Sequence, residues 1–370
     1  MLYFTGAADS GAAPVFAFGG AMHFGIFMEF GSRPALSEAE SFREGFRLVD
    51  AAEEMGLDGV WLAELHFNPV RSVLSSPVVV ASSIATRTQR LRIGMAVHVL
   101  PLNNPLRIAE EVATVDQISE GRFEFGVGRS GFARSYDLYG IPYVESRERF
   151  REALDIILEA WKGEPFSHDG DFYTFEGAVV SPRPYQQPHP PLRIAATTAE
   201  TFPRLGREGH PIFVGLRGMD IPELRGHLKE YRKAWRDAGH DGNGDVSLRI
   251  PVYAADNEEA ALEEPQDSIN AYFNRMGSLL RDAATNRAVA DAGLRQGRAD
   301  RLATMSYEEM LQTKVAFGTG ESLTDRFTEL KEELGLDSVV AELNAGGLIP
   351  EEAVTRSLRI MTQQVMPAFK

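Results

Sequence analysis

The segment Pro101–Arg129, PLNNPLRIAEEVATVDQISEGRFEFGVGR, constrains the fold more than any other part of the chain. A proline-bounded loop leads into a helix, and an acidic-glycine turn ends it. A buried run then delivers Gly126, Gly128 and Arg129 to the next loop. A strand buried on both faces reads as a near-continuous apolar run, and it reaches a parallel neighbour only through a helical crossover. The segment is therefore one step of a parallel β/α architecture, with a permanent cation at the end of its strand.

The same rhythm runs along most of the sequence. His23–Met28 reads as a first strand, followed by a helix over Phe42–Met55 with Phe42, Phe46, Val49, Ala52 and Met55 on one face and Gly56 as its stop. Val60–Ala63, Leu91–Val97 and Arg122–Val127 read as strands two to four. A helix over 147–162 carries Phe150, Ala153, Leu154, Ile157, Leu158 and Trp161 at helical spacing. The proline-rich stretch SPRPYQQPHPPLRIAA feeds a fifth strand, Leu192–Ala196, and Pro211–Val214 makes a sixth. After a helix over Pro222–Ala238 come Val246–Ala254 and Ser338–Leu343. Eight strands with intervening helices predict an α/β fold, a closed eight-stranded TIM (β/α) barrel, in preference to an open doubly wound sheet. No internal repeat is present.

Two segments depart from the rhythm. Asn257–Tyr307, between strands seven and eight, is too long for an ordinary connection and reads as an insertion. Its second half is expected to form a mobile lid over the barrel mouth; a surface helical appendage or an oligomer contact is the alternative. Residues 1–21, rich in small and aromatic side chains, are expected to be a flexible extension ahead of one domain over 22–370.

Composition limits function. A formal charge of −15 disfavours nucleic acid, which needs a basic face, so an anionic ligand must be held by a few specific residues. The absence of cysteine removes disulfides, thiolate metal sites and a cysteine nucleophile. No run approaches the roughly 18 to 20 apolar residues of a membrane helix, and the first residues lack a secretory start. A cytoplasmic protein without membrane association is the expectation.

Several residues stand where barrels place chemistry. Arg129 follows FEFGVG and offers a planar fork suited to phosphate, although a strand-ending arginine is also commonly a salt-bridged surface group. Ala196–Thr201 supplies hydroxyls and free N–H groups at a helix start, either an anion cradle or simple capping. On neighbouring loops the two features reinforce each other. Glu64 and His66 in WLAELHF end the second strand and His98 ends the third, so a carboxylate and two imidazoles converge as acid, base or hydrogen-bond donors, or as satisfied structural groups. A metal is disfavoured because further ligands are not evident. FGIFMEFGSRPALSEAES has neither a dinucleotide fingerprint nor P-loop spacing.

Taken together, MHFGIFMEF, GLDGVWLAELHF, LRIGMAVHVLPLNNPLRIAEEVATVDQISEGRFEFGVGR, SHDGDFYTF, PRPYQQPHPPLRIAA and VAFGTGESL resemble the luciferase-like flavin-dependent monooxygenases across residues 22–370. The resemblance implies a barrel that takes reduced FMN from a separate flavin reductase, reacts it with molecular oxygen to a flavin hydroperoxide, and oxidises a small organic substrate. By position it implies Arg129, Thr198 and Thr201 at the FMN phosphate and Glu64 beside the flavin. It also implies Ala96 and Val97 joined by a non-prolyl cis peptide against the ring, and a homodimer built by the helices around the second and third strands. His66, with Glu64 and His98, would serve the oxygen chemistry or orient substrate. Two positions depart from the family pattern. Leu65 replaces the first histidine of the luciferase motif, which puts light emission from an aldehyde in doubt. Gly128 replaces a reactive cysteine, which implies extra room beside the flavin. A deazaflavin-dependent oxidoreductase and a non-catalytic flavin-binding partner subunit are the alternatives.

Overall fold

The computed structural model describes residues 21–32, 36–216, 218–285 and 292–370. The expected extension over 1–21 lies, apart from Ala21, outside the described residues. Strands β1 (His23–Met28), β2 (Gly59–Leu62), β3 (Arg92–Met95), β4 (Phe123–Gly128), β5 (Leu192–Ala195), β6 (Ile212–Gly215), β7 (Val246–Ala254) and β8 (Ser338–Glu342) pair in parallel, each with its neighbour in sequence. β8 returns to β1 through His23 opposite Ser338, and β6 meets β7 through Ile212 opposite Val246, so the sheet closes. The expected eight-stranded barrel is the fold.

Boundaries shift where local chemistry overrides periodicity. The first helix begins at Glu38, four residues before its apolar stripe, because Ser37 and Glu40 form a capping box. Such a cap stabilises a helix start by about 1 kcal/mol. β3 stops at Met95 because the Ala96–Val97 peptide is cis, and His98–Val99 pairs separately with β4. A short hairpin, Phe166–Asp169 with Thr174–Ala178, lies outside the barrel, and Ala316–Gly318 adds to the far end of β7.

The barrel interior is organised by one side chain. Trp61 of β2 lies 7% exposed among Phe27, Phe213 and Val340, its ring 5.4 Å from that of Phe213. A Cβ at Gly94 would stand 2.3 Å from Trp61, and one at Gly25 would stand 2.8 Å away. Glycine in these strands makes room for the indole.

The insertion is helical in its described parts. Glu258–Glu263 precedes Gln266–Thr285, against which Ala292–Thr304 packs, and Tyr307–Thr313 follows. Ile269, Tyr272, Phe273, Met276, Leu302 and Met305 make a small apolar core of their own. The insertion and the segment just after it are also docked onto the loop after β6 and the start of the helix Ile221–Asp237. Arg298 pairs with Glu223 at 2.7 Å, Arg301 with Asp220 at 3.1 Å, and the buried Lys314 ammonium donates to the carbonyls of Met219 and Leu216 at 2.6 and 3.1 Å.

Candidate functional site

At the carboxyl ends of the strands, where barrel enzymes place their chemistry, two groups of polar side chains meet. The first is built on Glu64, two residues past β2. Its buried carboxylate lies 2.7 Å from His66 Nε2 and in short contact with His98 Nδ1. The Val99 backbone N–H donates to it at 2.9 Å and Asn103 Nδ2 at 3.4 Å. Burial raises the carboxyl pKa, but the facing His98 and the hydrogen bonds from both imidazoles outweigh it and hold Glu64 at about 2. It is therefore ionised near neutrality.

An ionised acceptor fixes the protons around it. His98 Nδ1 directs its hydrogen at Glu64; burial opposes protonation of the ring, and the Glu64 charge overcomes this and raises its pKa. His98 Nε2 is buried and has no hydrogen-bond partner among the described residues. His66 Nε2 faces the carboxylate, and its Nδ1 lies 3.1 Å from the Tyr139 hydroxyl. Burial raises the Tyr139 pKa, so the phenol keeps its proton. The three residues singled out in the sequence are thus brought together, and the structure adds Tyr139 and Asn103. Neither carries a sequence signal, because Tyr139 ends the short helix Ala133–Tyr139 and Asn103 follows the turn Leu100–Leu102, and only the fold brings both to Glu64.

The second group surrounds Arg129, the residue after β4. Its Nη1 donates to Ser146 Oγ at 2.9 Å, and its guanidinium carbon lies 5.8 Å from the centre of the Tyr143 ring. The Tyr136 hydroxyl donates to its backbone carbonyl. Among the described residues Arg129 has no carboxylate partner. Ser146 opens the helix Ser146–Ala160, and the next residue, Arg147, pairs with Glu200 at 2.9 Å. This ion pair ties the loop after β4 to the segment after β5. There the Thr198 and Thr201 hydroxyls lie 2.8 Å apart, at the start of the helix Thr201–Glu208. Ser146 and Arg147 were missed in the sequence because the helical stripe beginning there was read only for its apolar face. Their place at a helix start, within one loop of Arg129, was the available signal.

The segment 96–99 joins the two groups. The Ala96–Val97 peptide is cis, as the family resemblance implies, and it is the one non-prolyl cis bond among the described residues. A Cβ at Gly128 would stand 2.5 Å from Val97 Cγ2. The extra room expected at Gly128 is thus taken up by Val97. Gly126 is required more strictly, since a Cβ there would lie 1.7 Å from the Met95 carbonyl oxygen. Leu65 lies in the apolar mouth with Trp61 and Ala96, beside the histidines and without a proton to offer.

A guanidinium with one hydrogen bond in use, three hydroxyls and the Arg147 charge suit a phosphate monoester. Among the described residues no three His, Asp or Glu side chains are grouped as metal ligands, and no helix is long and apolar enough to cross a membrane.

Comparison with known proteins identifies the family. The family model described as luciferase-like monooxygenase matches residues 22–338. The oxygenase component of the flavin-dependent trigonelline monooxygenase of Acinetobacter baylyi is 25% identical, over 90% of this chain and 91% of that protein. The oxygenating constituent of 3,6-diketocamphane monooxygenase from Pseudomonas putida, solved with FMN, superposes with a TM-score of 0.79 at 20% identity, over 94% of this chain and 98% of that one. A coenzyme F420-dependent tetrahydromethanopterin reductase from Methanopyrus kandleri superposes with a TM-score of 0.71 at 18% identity, over 95% and 100%. With the family model covering most of its length, the chain belongs to the luciferase-like monooxygenases.

Proposed function

We propose that this protein is the oxygenase component of a two-component FMN monooxygenase acting on a small organic substrate. The observation that carries the reading is Arg129, a half-buried guanidinium with no carboxylate partner among the described residues, set beside Ser146 and linked through Arg147–Glu200 to the Thr198–Thr201 hydroxyls. In this reading Arg129, Thr198 and Thr201, with Ser146 and Arg147, hold the FMN phosphate. Ala96 and Val97 support the ring. When bound, reduced FMN supplies the electrons that activate molecular oxygen and incorporate one of its atoms into the substrate.

The chain's own groups supply the rest. Glu64 stays ionised and keeps the hydrogens of His66 Nε2 and His98 Nδ1 directed inward, which leaves Tyr139, through His66, as the proton-bearing end of the chain nearest solvent. In this reading the apolar mouth around Trp61, Phe213 and Leu65 excludes water. A separate reductase, a cytoplasmic setting and a homodimer through the helices flanking β2 and β3 complete the proposal; the helix Pro77–Arg87 exposes Val79, Ser83 and Thr86 along one side.

The test is anaerobic titration of the protein with photoreduced FMN, followed by rapid mixing with oxygen while flavin absorbance is recorded. Tight binding that Arg129→Ala weakens, and slow reoxidation relative to free flavin, are expected. No binding, or an Arg129→Ala variant equal to wild type, sinks the assignment. Leu65 favours a second reading, a non-catalytic flavin-binding partner subunit, and oxygen consumption by the protein alone with reduced FMN decides between them.

A further inference from the structure

Across the barrel from the Arg129 cradle, a cavity opens at the carboxyl ends of β1 and β8, where the helices Glu38–Glu54 and Glu351–Ile360 meet the insertion helix Gln266–Thr285. Its floor is apolar, formed by Ile26, Met28, Phe30, Leu48 and Val354. Its rim is charged, and the charges are unevenly matched.

The acids of the rim are occupied. Glu29 receives Arg71 through Nε at 2.8 Å and through Nη2 in a shorter contact, with Arg249 at 3.4 Å. Glu342 receives Arg249 at 2.6 and 2.9 Å and lies 3.4 Å from the Tyr272 hydroxyl. Glu351 is held in a two-point pair by Arg47 at 2.6 and 2.7 Å, and Glu44 has an interaction of its own. The bases are not all occupied. Arg71 is 4% exposed, and its Nη1 is buried without an acceptor. Arg275 donates only to the Gly346 carbonyl, at 3.4 Å, and has no carboxylate partner among the described residues. One buried guanidinium nitrogen, Arg71 Nη1, thus has no acceptor, and Arg275 has a single long bond to a carbonyl, on one cavity with a hydrocarbon floor.

We propose that this cavity binds a small apolar organic acid, its carboxylate meeting Arg71 Nη1 and the Arg275 guanidinium while its hydrocarbon part rests on Met28, Phe30 and Leu48. A carboxylate offers the acceptor-only, planar partner that guanidinium forks match. A neutral ligand leaves Arg71 Nη1 without an acceptor and Arg275 without a directly bonded carboxylate, and a purely anionic one gains nothing from the floor. Arg275 and Tyr272 belong to the insertion, so the acid also joins the insertion to the barrel rim. Identifying the acid as the substrate rests on the monooxygenase reading; its binding does not.

The experiment is calorimetric titration of the flavin-free full chain with benzoate and with hexanoate, each against its neutral counterpart, benzamide or hexanol. Both acids are expected to bind and the neutral compounds to bind more weakly by about tenfold or more, the loss of one charge-assisted hydrogen bond. Arg71→Lys and Arg275→Gln are each expected to weaken benzoate by about tenfold. Arg275 is half-buried on a helix, so its variant tests the site even where Arg71→Lys melts early. Equal binding of benzamide and benzoate, unchanged benzoate binding in Arg275→Gln, or no binding of either acid overturns the inference. Reduced FMN is titrated separately. Acid binding without FMN binding removes the monooxygenase reading and keeps this site, whereas FMN binding without acid binding removes this site alone.

Discussion

The floor and the mouth of the barrel each present an arginine from a neighbouring strand, and the two are treated in opposite ways. On the floor, Arg193 of β5 forms a two-point pair with Asp245, its Nη2 at 2.8 Å, and reaches Glu124 through Nε at 3.3 Å, while Arg92 holds the other Glu124 oxygen at 2.6 Å. All but Arg92 are nearly inaccessible. Burial opposes the Arg193 charge, and the two carboxylates reverse this and raise its pKa. At the mouth, Arg129 keeps one hydroxyl partner and no carboxylate among the described residues. A cation neutralised within the protein holds strands together, and one left without a counter-charge is available to a ligand.

Removing the floor cation gives the largest expected effect. Arg193→Ala leaves the buried Asp245 without its cation and Glu124 with Arg92 alone, and is expected to lower stability by about 3 to 5 kcal/mol in denaturant titration. A loss below about 1 kcal/mol would break the comparison at its structural end. Arg129→Ala is expected to do the reverse. Its stability should stay within about 0.5 kcal/mol of wild type. Its affinity for reduced FMN should fall about ten- to a hundredfold, as expected for a lost charge-assisted hydrogen bond. A destabilised Arg129→Ala with unchanged flavin affinity would break the comparison at its functional end.

Proton linkage sharpens it. The folded pKa of Glu64, about 2, lies below its ordinary 4.5, so its stabilisation is complete above pH 4.5 and is lost as pH falls toward 2. The folded pKa of His98 lies above 6.5, so its share is complete below pH 6.5 and is lost as pH rises through the folded value. Glu64→Gln is expected to flatten the acid limb of a melting-temperature profile between pH 5 and about 2. An unchanged limb would show that the pair is not ionised as described. A further linkage concerns the segment that follows the insertion. Burial lowers Lys314 to about 8 from 10.5, so the folded form releases its proton first and stability rises between pH 8 and 10.5. Lys314→Met is expected to abolish that rise, which a matched pair of pH-dependent melts would detect.

Much of this was legible in the sequence, and the reason differs by residue. All eight strands are apolar runs bounded by turn residues, so periodicity finds them. Glu64, His66 and His98 are legible because they end such runs. The buried charges are not. Glu124, Arg193 and Arg249 interrupt FEF, LRIA and SLRIP as single polar residues, and their partners come from other strands, which no one-dimensional pattern joins. The break at Ala96 is equally hidden from hydropathy, since residues 91 to 97 stay mostly apolar across the cis bond; only the family motif pointed to it. The Arg147–Glu200 pair needs two loops brought side by side, and the sequence order separates them by 53 residues.

The centre of the barrel has an evolutionary consequence. One indole, Trp61, occupies space that is usually shared among layers of branched side chains, and Gly25 and Gly94 are its complement in the wall. These positions are bound in sign epistasis. Alanine at 94 clashes while the indole is present and becomes admissible once Trp61 is a smaller ring, so the order of substitutions along a lineage matters. The depth to which a ligand can enter the mouth is therefore inherited as a block of coupled residues.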